Sequence, residues 1–294
     1  MRPIVQPLPP RNGLTASRVR APYSIVARGF LAAVIAGQRH RHPEDDARAL
    51  DKRFAAGEVR DRRGQVIAPD QVLAAGEDVY FYRMPAPEPH VPFSISPVYE
   101  DARILVVNKP PFLATVPKGA HVTETAVVRL RRATGNEELS PAHRLDRHTS
   151  GLLLFTKSRE FRGAYQEMFA RRAVQKTYHA VSAGPSAVAP GTVWRSRISK
   201  VPGDLQAHTV DGEVNAETHV ISVSGRVHVL APHTGKTHQL RLHMCEAGVP
   251  IVNDPLYPAI RDDLMDDFTR PLGLTAYSLR FEDPVDGRER EFSL

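Results

Sequence analysis

The chain has 294 residues, 41% of them hydrophobic, with a net charge of +6 and a single cysteine. That length suits one large domain, or a small domain followed by a larger one. Cys245 alone excludes an internal disulfide framework and suits a reducing cytoplasm, and no apolar run reaches the roughly 18 residues of a membrane-spanning helix. Charge is uneven: residues 1–43 hold seven arginines and no acid, so the rest of the chain sums to about −1. Pro3, Pro7, Pro9 and Pro10 break any early amphipathic helix of the transit-peptide kind. Residues 1–22 are therefore expected to form a disordered basic tail suited to a polyanion.

From Tyr23 to Phe54 the cluster Phe30, Leu31, Ala32, Val34 and Ile35 predicts helix. Strand signals follow at Glu58-Val59, at Val66-Ile67 beyond the turn Arg63-Gly64, and over Asp78–Tyr82, so 23–83 reads as a small domain. Met84–Pro97 holds five prolines, which excludes a central strand or helix and marks 84–97 as a stiff linker. The remainder, 98–294, reads as the larger domain. Its first strand, Ala102–Val107, runs into Asn108-Lys109-Pro110.

Pro141–Lys157, PAHRLDRHTSGLLLFTK, reads as a polar loop around Asp146 feeding a buried strand at Leu152–Phe155. An acid beside arginines is as often a solvated ion pair as a reacting group, so residue chemistry leaves Asp146 open. Ser158 is expected to cap a helix with the stripe Phe161, Ala164, Tyr165, Met168 and Phe169, closed by Arg171 and Arg172. Strands are predicted over Val174–Ser182, Glu217–Val223 and Arg226–Ala231. Beyond a polar turn a helix runs to about Ala247, where Gly248 and Pro250 stop it. Ala276–Glu282 and Arg288–Phe292 close the chain as two strands joined around Asp286-Gly287.

Three patterns imitate other chemistries. Gly235-Lys236-Thr237 looks like the end of a phosphate-binding loop, but the glycine required five residues earlier is Leu230. Asp262-Asp263-Leu264-Met265-Asp266 imitates a magnesium-binding DDxxD run, yet sits in a strand-rich chain and reads as a solvated acidic loop. His233, His238 and His243 are five apart, which puts successive rings on different helix faces, unlike the four-residue spacing of HExxH. No metal or cofactor is expected.

HRLDRHTSGLLLFTK resembles the HRLDxxTSGLLL signature of the RluA-type RNA pseudouridine synthases. Three more stretches are similar to elements of that family, in the family's order. VVNKP around Lys109 resembles VVNKPxG, RAVQKTYHAVSAG resembles RxVxKxYxAxVxG, and PHTGKTHQLRLHMCEAGVPIVNDPLY resembles PxTGRxHQIRxHxxxxGxPIxGDxxY. The departures are Phe112 and Asn253 where glycine is usual, Lys236 for arginine, and Pro258 after the tyrosine. The order GEV…G…AGEDVYFYR within 23–83 resembles the small αL-type RNA-binding module.

The resemblance implies an α+β pseudouridine synthase fold with a mixed, largely antiparallel central sheet, preceded by an αL-like domain. It places the catalytic carboxylate on Asp146, its supporting cation on Arg241, and a ring that stacks on the target base on Tyr178. Arg144 would enter the RNA helix, and Lys109, Arg147, Lys176, Lys236 and His238 are the further residues expected to contact RNA. The implied reaction breaks the bond from sugar to uracil nitrogen, turns the base over and rejoins it through carbon 5. It requires no metal or redox group. The implied partner is ribosomal or transfer RNA, acted on by a cytoplasmic monomer. A non-catalytic RNA-binding or ribosome-assembly protein would use the same basic surfaces, but mere binding does not call for Asp146, Tyr178 and Arg241 together. A glycosidase would need a second carboxylate, and none stands out.

Overall fold

The computed structural model describes residues 7–294, which fall into two compact units. One comprises the chain up to His90 together with Val116–Glu137, and the other Val91–Thr115 with Glu138–Leu294. The first break between the units, at His90/Val91, lies within 84–97, and the chain then makes a second visit to the N-terminal unit. Glu88, inside the proline-rich stretch, is what grips that excursion: its carboxylate accepts from the backbone N–H of Val122 (2.9 Å), Thr123 (2.7 Å) and Glu124 (3.1 Å).

In the first unit, β1 (Ser17–Arg20) and β3 (Val59–Asp61) flank β5 (Asp78–Phe81) in an antiparallel sheet, and β2 (Ile25–Val26) pairs with β4 (Val72–Leu73). The helical stretch expected over Tyr23–Phe54 is two helices, α1 (Ala27–Ala36) and α2 (Ala47–Ala55), the second capped by the Asp46 side chain. Phe30, Leu31, Leu50, Phe54, Val79 and Phe81 form its core. The excursion contributes α3 (Ala126–Thr134), which begins at the Thr125 cap and ends at the left-handed Gly135.

The expected disorder of residues 1–22 is corrected for those described. Ser17–Arg20 is a sheet strand, and distant acids fix the arginines: Arg11 meets Glu58 at 2.6 Å, Arg20 meets Asp78 at 2.9 Å, and Arg28 meets Asp51 at 2.7 Å. Much of the apparent basic arm is thus paired within its own unit. Residues 1–6 of that tail lie outside the described residues.

The second unit is built on a ten-stranded sheet, with main order β11-β14-β15-β10-β16-β9-β7-β6. Its strands are β6 (Ser96–Glu100), β7 (Ile104–Lys109), β8 (Ser140–Pro141), β9 (Ser150–Thr156), β10 (Gln175–Val181), β11 (Val193–Ser196), β14 (Ala216–Ser224), β15 (Val227–Pro232), β16 (Leu274–Glu282) and β17 (Glu289–Ser293). β12 (Ile198–Ser199) and β13 (His208–Thr209) form a separate pair. Of the sheet pairings only β9 with β16 is parallel, so the sheet is mixed and largely antiparallel, as expected. Pro97 is tolerated in β6 because that strand lies at the sheet edge. Leu152–Phe155 reads as an unbroken apolar run because β9 is buried on both faces.

The helices of this unit are α4 (Arg159–Ala170), α5 (Gln239–Glu246) and the short α6 (Asp262–Met265). α4 lays Tyr165 and Met168 on the core of Ile104, Leu152, Leu154 and Leu279, while α5 packs Leu240 and Met244 against Ala180, Val220, Leu230 and Leu274. Ser158 stands at the cap of α4, but its side chain makes no capping hydrogen bond. Gly151 carries the close approach of β9 to β16. With φ at +111°, a Cβ there would lie 2.5 Å from the Ala276 nitrogen and closer still to its carbonyl oxygen. The glycine of the TSGLLL run is therefore a packing requirement. It brings Tyr178, Ala276 and Gly151 into line across three neighbouring strands.

Candidate active site

Asp146 sits in the turn between β8 and β9, and the residues around it are held while its carboxylate is not. The Thr115 hydroxyl donates to the Leu145 carbonyl (2.8 Å) and accepts from the Leu145 N–H (3.1 Å). His143 stacks on Phe169 with centroids 4.2 Å apart and accepts the Leu154 N–H through Nε2 (3.2 Å). His148 Nε2 lies 3.0 Å from the Met265 carbonyl, to which it donates. The Asp146 side chain itself remains 34% exposed. A pinned backbone with an open carboxylate suits a group that must meet a substrate.

Its cationic neighbour is Arg241, in the first turn of α5 and only 1% exposed. Arg241 Nη1 lies 4.0 Å from Asp146 Oδ2, a charge contact and not a hydrogen bond. The other side of the guanidinium is gripped by Asp254, through Nε to Oδ2 (2.8 Å) and Nη2 to Oδ1 (2.5 Å). Burial opposes the charge on Arg241, but the bonds and charge of Asp254, with a smaller contribution from Asp146, outweigh it and raise its pKa. Asp254 also accepts from the N–H of Leu256 (2.8 Å) and Tyr257 (3.1 Å), so the turn after α5 and the arginine share one anchor. Asn253, just before it, holds φ at +57°, and Phe112 holds +63°. Both positions where the family usually has glycine thus adopt the left-handed conformation that glycine favours, so the turns survive without it.

Tyr178 lies on β10 beside a bulge between Thr177 and Tyr178, a local device for re-aiming a side chain. Burial, followed by the charge of Asp146, pushes its phenol well above the ordinary range, so it stays protonated near neutrality. His238, in a left-handed turn at the start of α5, lies with Nδ1 3.1 Å from the Tyr257 hydroxyl. That hydroxyl already donates to the Ala207 carbonyl (2.8 Å) and accepts the Ala207 N–H (2.7 Å). A phenol has one hydrogen, so His238 Nδ1 must be the donor, and Nε2 keeps its lone pair. Burial lowers the pKa of His238 to about 4, with Asp146 acting in the opposite sense.

Arg241, Tyr178 and His238 therefore each feel the charge of Asp146. The remaining expected RNA contacts divide. Arg144 and Lys236 are exposed. Lys109 is corrected: it is fully buried, and Nζ donates to the carbonyls of Pro110 (2.8 Å), Leu113 (2.8 Å) and Arg147 (3.3 Å). Burial draws its pKa down to about 7, against the pull of Asp146. It ties two loops together and presents nothing to RNA. Arg147 is corrected likewise, since its guanidinium is held by the Met265 carbonyl (2.8 Å) and the Asp266 carboxylate. The acidic run 262–266 is thus partly neutralised within the unit, as Asp263 also meets Arg261 (2.9 Å) and Arg270 (3.3 Å). Lys176 is half-buried; after burial its main electrostatic neighbour is Arg172, and it acts on His143, so it belongs to a separate cluster.

Asp254, Tyr257 and Thr115 were not expected at the site. The first two stood in the stretch VPIVNDPLY, whose acid and tyrosine were the available signal; Thr115 offered none. The three spaced histidines end apart, with His233 stacked on His219, His238 edge-on to Tyr257, and His243 between Ser196 and Thr218 at 3.0 Å from each.

Burial also holds His143 at a pKa of about 3, and His148 and His243 at about 4. An unfolded histidine takes its proton near 6.5. Between pH 6.5 and 4 the unfolded chain therefore binds more protons, and stability must fall as pH falls through that window. We expect the urea midpoint to drop from pH 7 to pH 4, with the well-buried His148 and His243 each contributing up to about 3 kcal/mol. An unchanged midpoint across that range would contradict these environments.

Residues 103–246 match the sequence model of the RNA pseudouridylate synthase family. An uncharacterized RNA pseudouridine synthase of Synechocystis is 30% identical over 233 residues, covering 75% of this chain and 77% of that protein. The ribosomal large subunit pseudouridine synthase C of Pasteurella multocida is 30% identical over 269 residues, covering 79% and 76%. Among solved structures, human RNA pseudouridylate synthase domain containing 1 superposes with a TM-score of 0.56 at 26% identity, covering 70% of this chain and 85% of that one. Among the described residues no helix is long and apolar enough to cross a membrane. The chain belongs to the RluA-type family of RNA pseudouridine synthases, isomerases acting on RNA.

Proposed function

We propose that Asp146 is the carboxylate that converts specific uridines of ribosomal or transfer RNA to pseudouridine. The observation that carries this reading is an open carboxylate 4.0 Å from a buried arginine whose other side is fixed by Asp254. Such a cation is held by Asp254 and not by substrate, so it faces the Asp146 carboxylate without reorganising during the reaction. The carboxylate then acts at the sugar, either by attacking the glycosidic carbon to form an ester or by taking a sugar proton toward a glycal. Both routes begin with the target base out of its stack, at a cost of a few kcal/mol. Tyr178 would offer its ring to the flipped uracil, and Arg144, which is exposed, would take the space left in the helix. The names of relatives such as the Pasteurella enzyme favour large-subunit ribosomal RNA, and the working form is a cytoplasmic monomer. A purely RNA-binding role gives no reason for the buried Arg241–Asp254 pair beside an open carboxylate.

The purified protein should release tritium from RNA carrying [5-³H]uridine, because carbon 5 loses its hydrogen when it becomes the attachment point. With its phenol held protonated, Tyr178 is suited to stacking and not to removing that proton as a base at neutral pH. Tyr178→Phe should keep activity within about tenfold, whereas Tyr178→Ala, losing a stacking contact of roughly 1–3 kcal/mol, should lose about ten- to a hundredfold. A phenylalanine variant as poor as the alanine one would place the hydroxyl in the chemistry.

A further inference from the structure

Away from Asp146, three potential metal ligands converge on the sheet. Glu217 and His219 are two residues apart on β14 and so share a face. His233, just beyond β15, is brought opposite them because its N–H donates to the Glu217 carbonyl at 3.0 Å. The rings of His219 and His233 lie 4.1 Å apart, and one ligand atom from each of the three residues falls within 4.8 Å of the others. Glu217 is already oriented: Arg195 holds Oε2 at 2.7 Å, and Oε1 accepts from His219 Nε2 at 2.7 Å.

We propose that Glu217, His219 and His233 bind a divalent transition-metal ion of the zinc class. Two imidazoles and a carboxylate are a donor set that suits Zn²⁺, with water completing the coordination. Ligand atoms bonded at about 2.1 Å around a tetrahedral ion lie about 3.4 Å apart. Reaching that spacing requires the 2.7 Å Glu217–His219 contact to open slightly and the wider gaps, up to 4.8 Å, to close by about an ångström, which the exposed His233 side chain can do by rotation. Binding through His219 Nε2 requires that ring to carry its hydrogen on Nδ1 instead. The ion would clamp the turn carrying Lys236 and His238 to β14. The proposal is independent of the role given to Asp146.

The test is isothermal titration of the full-length protein with zinc chloride in a non-chelating buffer. One ion per chain is expected, weakened at least about tenfold by either His233→Ala or His219→Ala and unchanged by Cys245→Ser, which removes the chain's one thiol. His233 is exposed, so His233→Ala should retain the circular dichroism and melting temperature of the metal-free parent. Absence of one-to-one binding at about 100 µM zinc, binding that survives both histidine substitutions, or binding lost only in Cys245→Ser would each overturn the proposal.

Discussion

Replacing Asp146 with asparagine is expected to reduce pseudouridine formation by at least about a thousandfold while leaving the fold and RNA affinity almost intact. The substitution preserves shape and removes only the charge. Asp146 is a third exposed and meets Arg241 at 4.0 Å without a hydrogen bond, so the fold depends little on it, and a stability change within about 0.5 kcal/mol is expected. RNA binding should hold or rise slightly, because a negative charge is lost beside a polyanion. Tritium release from labelled RNA gives the rate, and filter binding gives the affinity. Activity retained within tenfold would remove Asp146 from the reaction.

Arg241→Leu is expected to damage both stability and turnover, and the two effects can be separated. Removing the guanidinium leaves Asp254 charged and buried, a loss of about 3–5 kcal/mol. Asp254→Ala should cost about as much, since it strands Arg241 and also the N–H groups of Leu256 and Tyr257. The pair acts as a unit, so the double variant should fall short of the sum of the single losses by about 2–3 kcal/mol, as urea denaturation would show. At temperatures where Arg241→Leu remains folded, turnover should fall far more than RNA affinity, because a side chain 1% exposed offers RNA no contact. Additive stability losses, or equal losses of turnover and affinity, would count against the arrangement.

The reach of the sequence follows the range of the interactions involved. Strands β9, β10, β15 and β16 were legible because their apolar runs and alternation are local. Asp146, Arg241 and Tyr178 are singled out only through motif resemblance, since nothing in a lone acid distinguishes a reacting group from a solvated one. Lys109 and Arg147 looked like RNA ligands because they are basic and lie near the motif. Their engagement depends on carbonyls and acids brought in from other loops, up to 119 positions away for Arg147 and Asp266. The same limit explains the N-terminal arm, where Arg20 finds its partner 58 residues on. α3 could have been found, since Thr125 and Gly135 mark its two ends, although no local pattern assigns it to the N-terminal unit.

The most direct measurement is pseudouridine mapping of total cellular RNA with the gene intact and with only Asp146→Ala installed. One or a few uridines should lose modification while the protein persists at normal levels, which would also identify the substrate. An unchanged map, with the intact purified protein binding RNA but releasing no tritium from it, would contradict a catalytic Asp146.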